Sequence, residues 1–126
     1  MRYLIDTCTL IWLATEPNKL SEMASKILQN AENDILVSTV SAWELALKKE
    51  DIIKTDNLEN FVKQACLRHQ LTLTSPSLSH VCTVKELPFH HKDPFDRLLI
   101  ATCTVEKIPL ITADKKIALY DIETIW

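Results

Sequence analysis

Short aliphatic runs alternate along this chain with stretches in which apolar residues recur every three or four positions. Aliphatic runs bounded by polar residues are typical of buried strands, whereas the longer spacing is typical of amphipathic helices. The pattern predicts strands at residues 2–5, 35–38, 71–74, 109–112 and, at a sheet edge, 121–125. It predicts helices near residues 10–14, 20–31, 41–50, 56–65, 77–87, 94–102 and 114–119.

Three of these helices carry predictions about which face is buried. In the helix of residues 94–102, the buried face is expected to contain Phe95, Leu98, Leu99 and Thr102. The third helix is expected to bury Trp43, Ala46 and Leu47, while residues 48–50 are expected to face outward. The helix of residues 77–87 has a thinner apolar stripe, formed by Leu78, Val81 and Val84. Residues at this spacing share one helix face, so the stripe is expected to face the core.

The alternation of strands and helices predicts an α/β fold, a three-layer α/β/α sandwich around a mostly parallel sheet of four to five strands. A length of 126 residues fits a single domain spanning residues 1–126. In open parallel sheets, ligands bind outside the carboxyl ends of the strands. The functional residues are therefore expected at that edge.

The amino-acid composition excludes several kinds of binding site. The chain contains no glycine, which phosphate-binding loops and dinucleotide-binding fingerprints need for close backbone approach, so sites of those types are excluded. Lys and Arg number 14 against 17 Asp and Glu, and the net charge of −3 gives no overall basic surface for nucleic acid. The acidic balance fits an enzyme that collects carboxylates to hold cations.

The chain shows no sign of a membrane or secretory segment. No apolar run approaches the roughly 20 residues that span a bilayer, and the first residues lack the features of a signal peptide. The four cysteines are irregularly spaced without a C-x-x-C pair, so they are expected to be reduced and buried. A cytoplasmic protein is expected.

Four acidic residues lie just after a predicted strand or in the first turn of the next helix: Asp6, Glu44, Asp96 and Asp114. If the strands are parallel and adjacent, these side chains meet at one edge of the sheet. Three of them have an alternative role at helix starts, Glu44 through the box Ser41-Ala-Trp-Glu44. In the run Asp93-Pro-Phe-Asp96, Asp93 is expected to be the N-cap and Asp96 an acid of the first turn. Asp6 is the acid that capping explains least.

The negative charges of clustered carboxylates must be balanced by a positive charge, because two like unit charges about 4 Å apart repel by roughly 4 kcal/mol at an effective dielectric of 20. A divalent cation supplies it, and hard oxygen ligands favour Mg²⁺ or Mn²⁺. Carboxylates that hold such ions are a recurring device for phosphodiester hydrolysis. The acids therefore indicate a metal-dependent nuclease.

Four segments in order carry a resemblance to the PIN-domain ribonucleases, in particular the VapC-type toxins of toxin–antitoxin pairs. They are LIDTCTLIW, VSTVSAWELALK, HHKDPFDRLLIA and LITAD. The resemblance covers essentially the whole chain. It implies an endoribonuclease that depends on Mg²⁺ or Mn²⁺ bound by Asp6, Glu44, Asp96 and Asp114. It also implies a homodimer that a VapB-like antitoxin neutralises, and it adds Asp93 as a further candidate near the metal.

Neighbouring residues have open roles. Thr7 and Thr112 either orient a carboxylate or make local turn bonds. Arg97 either contacts the scissile phosphate of the RNA or pairs with a carboxylate as structural support. His91, beside His90, either shuttles protons or lies in a solvated loop.

Two alternative functions remain at this point. A phosphatase of the haloacid dehalogenase type also places an aspartate after its first strand, but it needs a second acid two residues later, where this chain has Cys8. A catalytically idle module that uses the same fold to bind a partner protein is the other alternative.

Overall fold

The structure, a computed structural model, describes residues 1–48 and 53–126. Its centre is a five-stranded sheet in the order β3-β2-β1-β4-β5, with every neighbouring pair parallel. The strands are β1 (Arg2–Ile5), β2 (Asp34–Ser38), β3 (Leu71–Thr74), β4 (Leu110–Ile111) and β5 (Thr124–Ile125).

In the described part of the chain, six α-helices connect the strands: α1 (Thr7–Thr15), α2 (Glu22–Gln29), α3 (Thr39–Leu47), α4 (Leu58–His69), α5 (Leu78–Thr83) and α6 (Pro94–Glu106). The same residues include three short 3₁₀ helices, at Pro17–Lys19, Val84–Glu86 and Ile117–Leu119. None of the described helices has the length and apolar character needed to cross a membrane.

Helices cover both faces of the sheet, because alternate strand residues point to opposite sides. One face carries Tyr3 and Ile5 and packs against Leu10 of α1, Ala24 of α2 and Ala65 of α4. The other face carries Leu4, Leu36 and Leu110 and packs against Val40 of α3 and Leu99 and Ile100 of α6. The predicted three-layer α/β/α sandwich is confirmed, and its sheet is entirely parallel.

The strand order reverses direction at β1, because the chain first builds outward through β2 and β3 and then returns to the other side of β1 with β4. A crevice opens at such a reversal, between loops that leave neighbouring strands in opposite directions. The carboxyl ends of β1 and β4 are therefore the expected place for a site, and these strands lead directly to Asp6 and Asp114.

The predicted buried face of α6 is confirmed at Leu99 and Thr102, but the predicted buried faces of two other helices are wrong. In α3, Trp43, Ala46 and Leu47 are exposed, and Val40, Ser41 and Glu44 are buried instead. In α5, Leu78 and Val81 are exposed, whereas His80 is buried. Helical spacing identifies a shared face but not its direction, which packing decides. Lys49 and Glu50 lie outside the described residues.

The prediction of four buried cysteines is wrong in part. All four are free, but Cys8 and Cys82 are exposed, Cys66 is half-buried and only Cys103 is buried. Partial burial and the neighbouring Asp6 carboxylate raise the pKa of Cys8 to about 11. Because the thiolate is the reactive form, Cys8 is a poor nucleophile at neutral pH.

Candidate active site

A cleft of about 320 Å³ lies at the carboxyl edge of the sheet. All the acids singled out from the sequence line it, together with residues of α1 and α3. The lining residues are Asp6, Thr7, Cys8, Trp12, Glu44, Lys48, Asp93, Asp96, Ala113 and Asp114.

Asp6 is buried and held by three hydrogen bonds. Its Oδ1 accepts from the Thr9 N–H at 2.8 Å and from the Thr9 hydroxyl at 2.6 Å, while its Oδ2 accepts from the Thr112 hydroxyl at 2.5 Å. Asp6 is thus the N-cap of α1, so the view that capping explains it least is wrong. Burial nevertheless raises the pKa of Asp6 against the lowering effect of these bonds.

The two threonines flagged from the sequence behave differently. Thr112 orients Asp6 and also accepts from the Asp114 N–H at 3.1 Å, so it links the ends of β1 and β4. Thr7 donates to the Ser41 hydroxyl at 3.0 Å and so connects α1 with α3 rather than orienting a carboxylate. Thr9 was not predicted as a site residue, because no sequence motif identifies it. The first turn of α1 brings its hydroxyl to Asp6.

Glu44 is buried on the inner face of α3 and is only half partnered. Its Oε2 lies 2.8 Å from the Lys48 Nζ. Its Oε1 is the one buried side-chain oxygen or nitrogen among the described residues that has no hydrogen-bond partner. The predicted capping box is wrong, because Ser38 caps α3 and Glu44 lies beyond the first turn. An orphaned carboxylate oxygen at a cleft wall calls for a further ligand.

The N-terminus of α6 contributes Asp93 and Asp96. Asp93 is the N-cap, accepting through Oδ1 from the Phe95 N–H at 2.8 Å and the Asp96 N–H at 3.2 Å, as the sequence predicts. Burial, followed by the nearby Asp93 and Asp6 carboxylates, raises the pKa of Asp96 to about 7. The carboxylates therefore repel one another at close range.

His91 contacts two of these carboxylates, which contradicts its reading as part of a solvated loop. Its Nε2 lies 2.9 Å from Asp114 Oδ2 and 3.1 Å from Asp96 Oδ2, and its side chain is 12% exposed. Burial acts to raise the pKa of Asp114. The pKa is nevertheless lowered, because the Lys116 N–H and His91 bind the ionised carboxylate. In the sequence, the feature that links His91 to the acids is its position two residues before Asp93, the N-cap of α6.

Arg97 is buried and points away from the acids. It donates from Nη1 to the Pro88 carbonyl at 3.0 Å and the Tyr120 hydroxyl at 3.1 Å. It donates from Nη2 to the Val84 carbonyl at 3.1 Å and the Leu87 carbonyl at 3.4 Å. No carboxylate among the described residues pairs with it, so the alternative of a structural ion pair is wrong. The guanidinium instead holds the segment of residues 84–91 through its carbonyl oxygens.

The cleft fits a divalent cation by two independent observations. One carboxylate oxygen each of Asp96 and Asp114 lie within 4.8 Å of one another, beside a ring nitrogen of His91. The orphaned Oε1 of Glu44 adds an unused oxygen at the same cleft. Carboxylate oxygens of this kind suit hard cations such as Mg²⁺ and Mn²⁺.

Fold and cleft together define a parallel α/β protein with a carboxylate cluster, suited to a divalent cation, at the point where the strand order reverses. The family model described as the PIN domain matches residues 3–123. Because that match covers nearly the whole chain, the protein belongs to the PIN domain family.

Individual relatives agree with this family. The chain is 28% identical over 117 residues to Ribonuclease VapC22 of Mycobacterium tuberculosis, an alignment covering 90% of this chain and 88% of the relative. Its fold is similar to a chain of VapBC2 from Rickettsia felis bound to a promoter DNA fragment (TM-score 0.71, 14% identity, 99% and 98% of the two chains covered). It is also similar to a chain of VapBC-1 from nontypeable Haemophilus influenzae (TM-score 0.67, 16% identity, 99% and 97% covered).

Proposed function

We propose that this protein is a metal-dependent endoribonuclease and the toxin of a VapBC-type toxin–antitoxin pair. The observation that carries the proposal is the meeting of four acids, contributed by the ends of β1 and β4 and by α3 and α6, around one cleft. RNA as the substrate is supported by the similarity to Ribonuclease VapC22.

Asp6, Glu44, Asp96 and Asp114 would hold Mg²⁺ or Mn²⁺, with Asp93 as an additional candidate. A bound divalent cation would lower the pKa of an attacking water and neutralise charge that develops on the phosphate oxygens. The Asp6 carboxylate is already oriented before a cation binds, because the hydroxyls of Thr9 and Thr112 bind its two oxygens. Ligands that are already oriented need no reorganisation when charge develops.

Lys48 extends the proposed site beyond the acids. Its ammonium contacts Glu44 at the cleft wall and its side chain is 40% exposed. The side-chain hydrogen bond to Glu44 raises the pKa of Lys48, so the side chain stays cationic at neutral pH. A cation beside the cleft can attract the RNA phosphate backbone, which the net charge of −3 otherwise repels.

The partners follow from the same comparisons. Both structural relatives are VapBC assemblies matched over almost their full chains, which supports a VapB-like antitoxin as partner. We also propose a homodimer located in the cytoplasm, where RNA is available. The dimer rests on the resemblance to VapC-type toxins alone.

The test is cleavage of RNA by purified protein with Mg²⁺ or Mn²⁺. Asp6→Asn should reduce the cleavage rate at least 100-fold, because it removes a charge from the cluster while the amide still caps α1. The matched control is Asp121→Asn, an exposed acid away from the cleft, which should cleave like wild type.

Two results would overturn the proposal. One is equal cleavage by Asp6→Asn and wild type when circular dichroism shows that both are folded. The other is cleavage that persists unchanged in excess EDTA.

A further inference from the structure

His91 forms a group with Asp96 and Asp114 that has the spacing of a metal-binding triad. The three side chains come from the loop before α6, the first turn of α6 and the loop after β4. An imidazole within 3.1 Å of two carboxylate oxygens can serve either as a ligand that shares a cation with them or as a donor that holds them. The second ring nitrogen distinguishes these roles.

That second nitrogen, Nδ1, accepts a hydrogen bond from the Asp93 N–H at 3.1 Å. In neutral imidazole one nitrogen accepts and the other carries the proton, so Nε2 of His91 is the protonated nitrogen. Histidines that bind metals donate their other ring N–H to a carboxylate, carbonyl or water. His91 shows the reverse arrangement. Its Nδ1 faces a donor, whereas its Nε2, which faces the carboxylates, carries the proton and has no free lone pair.

Hydrogen bonds hold the backbone of His91 as well as its ring. The Tyr120 hydroxyl oxygen accepts from the His91 N–H at 2.9 Å and the His90 N–H at 3.1 Å, and it also accepts from Arg97. Arg97 in turn binds the Pro88 carbonyl. The loop therefore presents Nε2–H to the acids from a rigid support.

We propose that His91 is a positioning residue that orients Asp114 and Asp96 for the cation without itself being a ligand. This inference rests on the proposed metal-dependent function. The Nε2–H donates to Asp114 Oδ2 and lies against Asp96 Oδ2, and so holds together two carboxylates from different elements that would otherwise repel. Oxygen atoms alone would then hold the cation, and the unpartnered Oε1 of Glu44 is one that remains available.

The first test is the tautomer of His91, measured by ¹⁵N-detected histidine NMR on the full-length protein without metal and after addition of Mg²⁺. His91 should carry its proton on Nε2 in both states. A proton on Nδ1 in the metal-free protein, or loss of the Nε2 proton when Mg²⁺ is added, would overturn the proposal by making His91 a ligand.

The second test is Mg²⁺ affinity, measured by isothermal titration calorimetry. His91→Ala should weaken binding about 10- to 100-fold, the usual effect of losing a group that orients a metal ligand. His91→Gln should recover most of that affinity, because its amide N–H can still donate to Asp114. His69→Ala, at the far end of α4, is the control and should bind like wild type.

The outcomes separate the two proposals. If wild type binds Mg²⁺ and His91→Ala binds it equally well, His91 does not position the ligands. If wild type binds no Mg²⁺, the metal-dependent function fails, and the His91 inference fails with it even where Nε2 is protonated.

Discussion

Asp96 shows how a candidate site residue weakens the fold that carries it. Its carboxyl lies in the first turn of α6, where burial and neighbouring acids raise its pKa to about 7. An ordinary aspartate has a pKa of 3.8, so folding favours the protonated form of this side chain. The contribution of Asp96 to stability is therefore fully present below its unfolded pKa and is lost as the pH rises through the folded pKa.

We predict that Asp96→Asn stabilises the metal-free protein at pH 8 and has little effect at pH 4. An asparagine keeps the shape of the side chain but removes the charge, so the gain at pH 8 should be about 1–2 kcal/mol after allowance for partial solvent screening. Urea unfolding in EDTA at both pH values measures it. An equal effect at both pH values would contradict the link to Asp96 ionisation.

At the scale of elements, Arg97 connects α6 to the segment of residues 84–91. One buried guanidinium binds three carbonyl oxygens of that segment, from Val84, Leu87 and Pro88, and its plane lies over the Phe89 ring at 4.6 Å. The fixed fork of arginine donors suits several acceptors at once. Since the same segment ends at His91, Arg97 supports the site without facing it.

We predict that Arg97→Met destabilises the protein by about 2–4 kcal/mol, because the stem still packs but buried carbonyls lose their donors. The control is Arg68→Met, an exposed arginine of α4 that should change stability by less than about 0.5 kcal/mol. Urea unfolding with an unchanged m-value measures both. Equal stability of the two variants would show that the carbonyl contacts contribute nothing.

At the scale of the whole molecule, the cleft joins parts of the chain that are far apart in sequence. Asp6 and Asp114 follow adjacent strands, whereas Glu44 and Asp96 come from α3 and α6 on one face of the sheet. A ligand that binds only the folded protein stabilises it by an amount that grows with concentration. The same carboxylates that repel one another in the metal-free state should then hold the molecule together.

We predict that Mg²⁺ or Mn²⁺ at 100 times its Kd raises the free energy of unfolding by about 2.7 kcal/mol. For a chain of this size, that corresponds to a rise in Tm of roughly 8–12 °C. Differential scanning fluorimetry measures the shift, with NaCl at equal ionic strength as the control. A shift that Asp114→Asn leaves unchanged would place the binding elsewhere.

The strands and the α/β class could be predicted from the sequence because an aliphatic run bounded by polar residues depends on local composition. The approximate helix positions follow from local spacing in the same way. The orientation of a helix face depends on what packs against it, so the pattern could not show that Trp43 is exposed and Glu44 buried. The prediction that Asp93 caps α6 succeeded because the capping interaction is made within a few residues.

The order of residues along the chain already places acids at the ends of strands and the starts of helices, and hence limits the kind of site they can form. Folding sets how each acid is held: Asp6 by Thr112, Asp114 by His91, and Glu44 with one oxygen left free. The sequence pattern does not contain this information, because some of these contacts join residues up to 106 positions apart. Side chains that meet only after the sheet has assembled leave no periodic pattern in the chain.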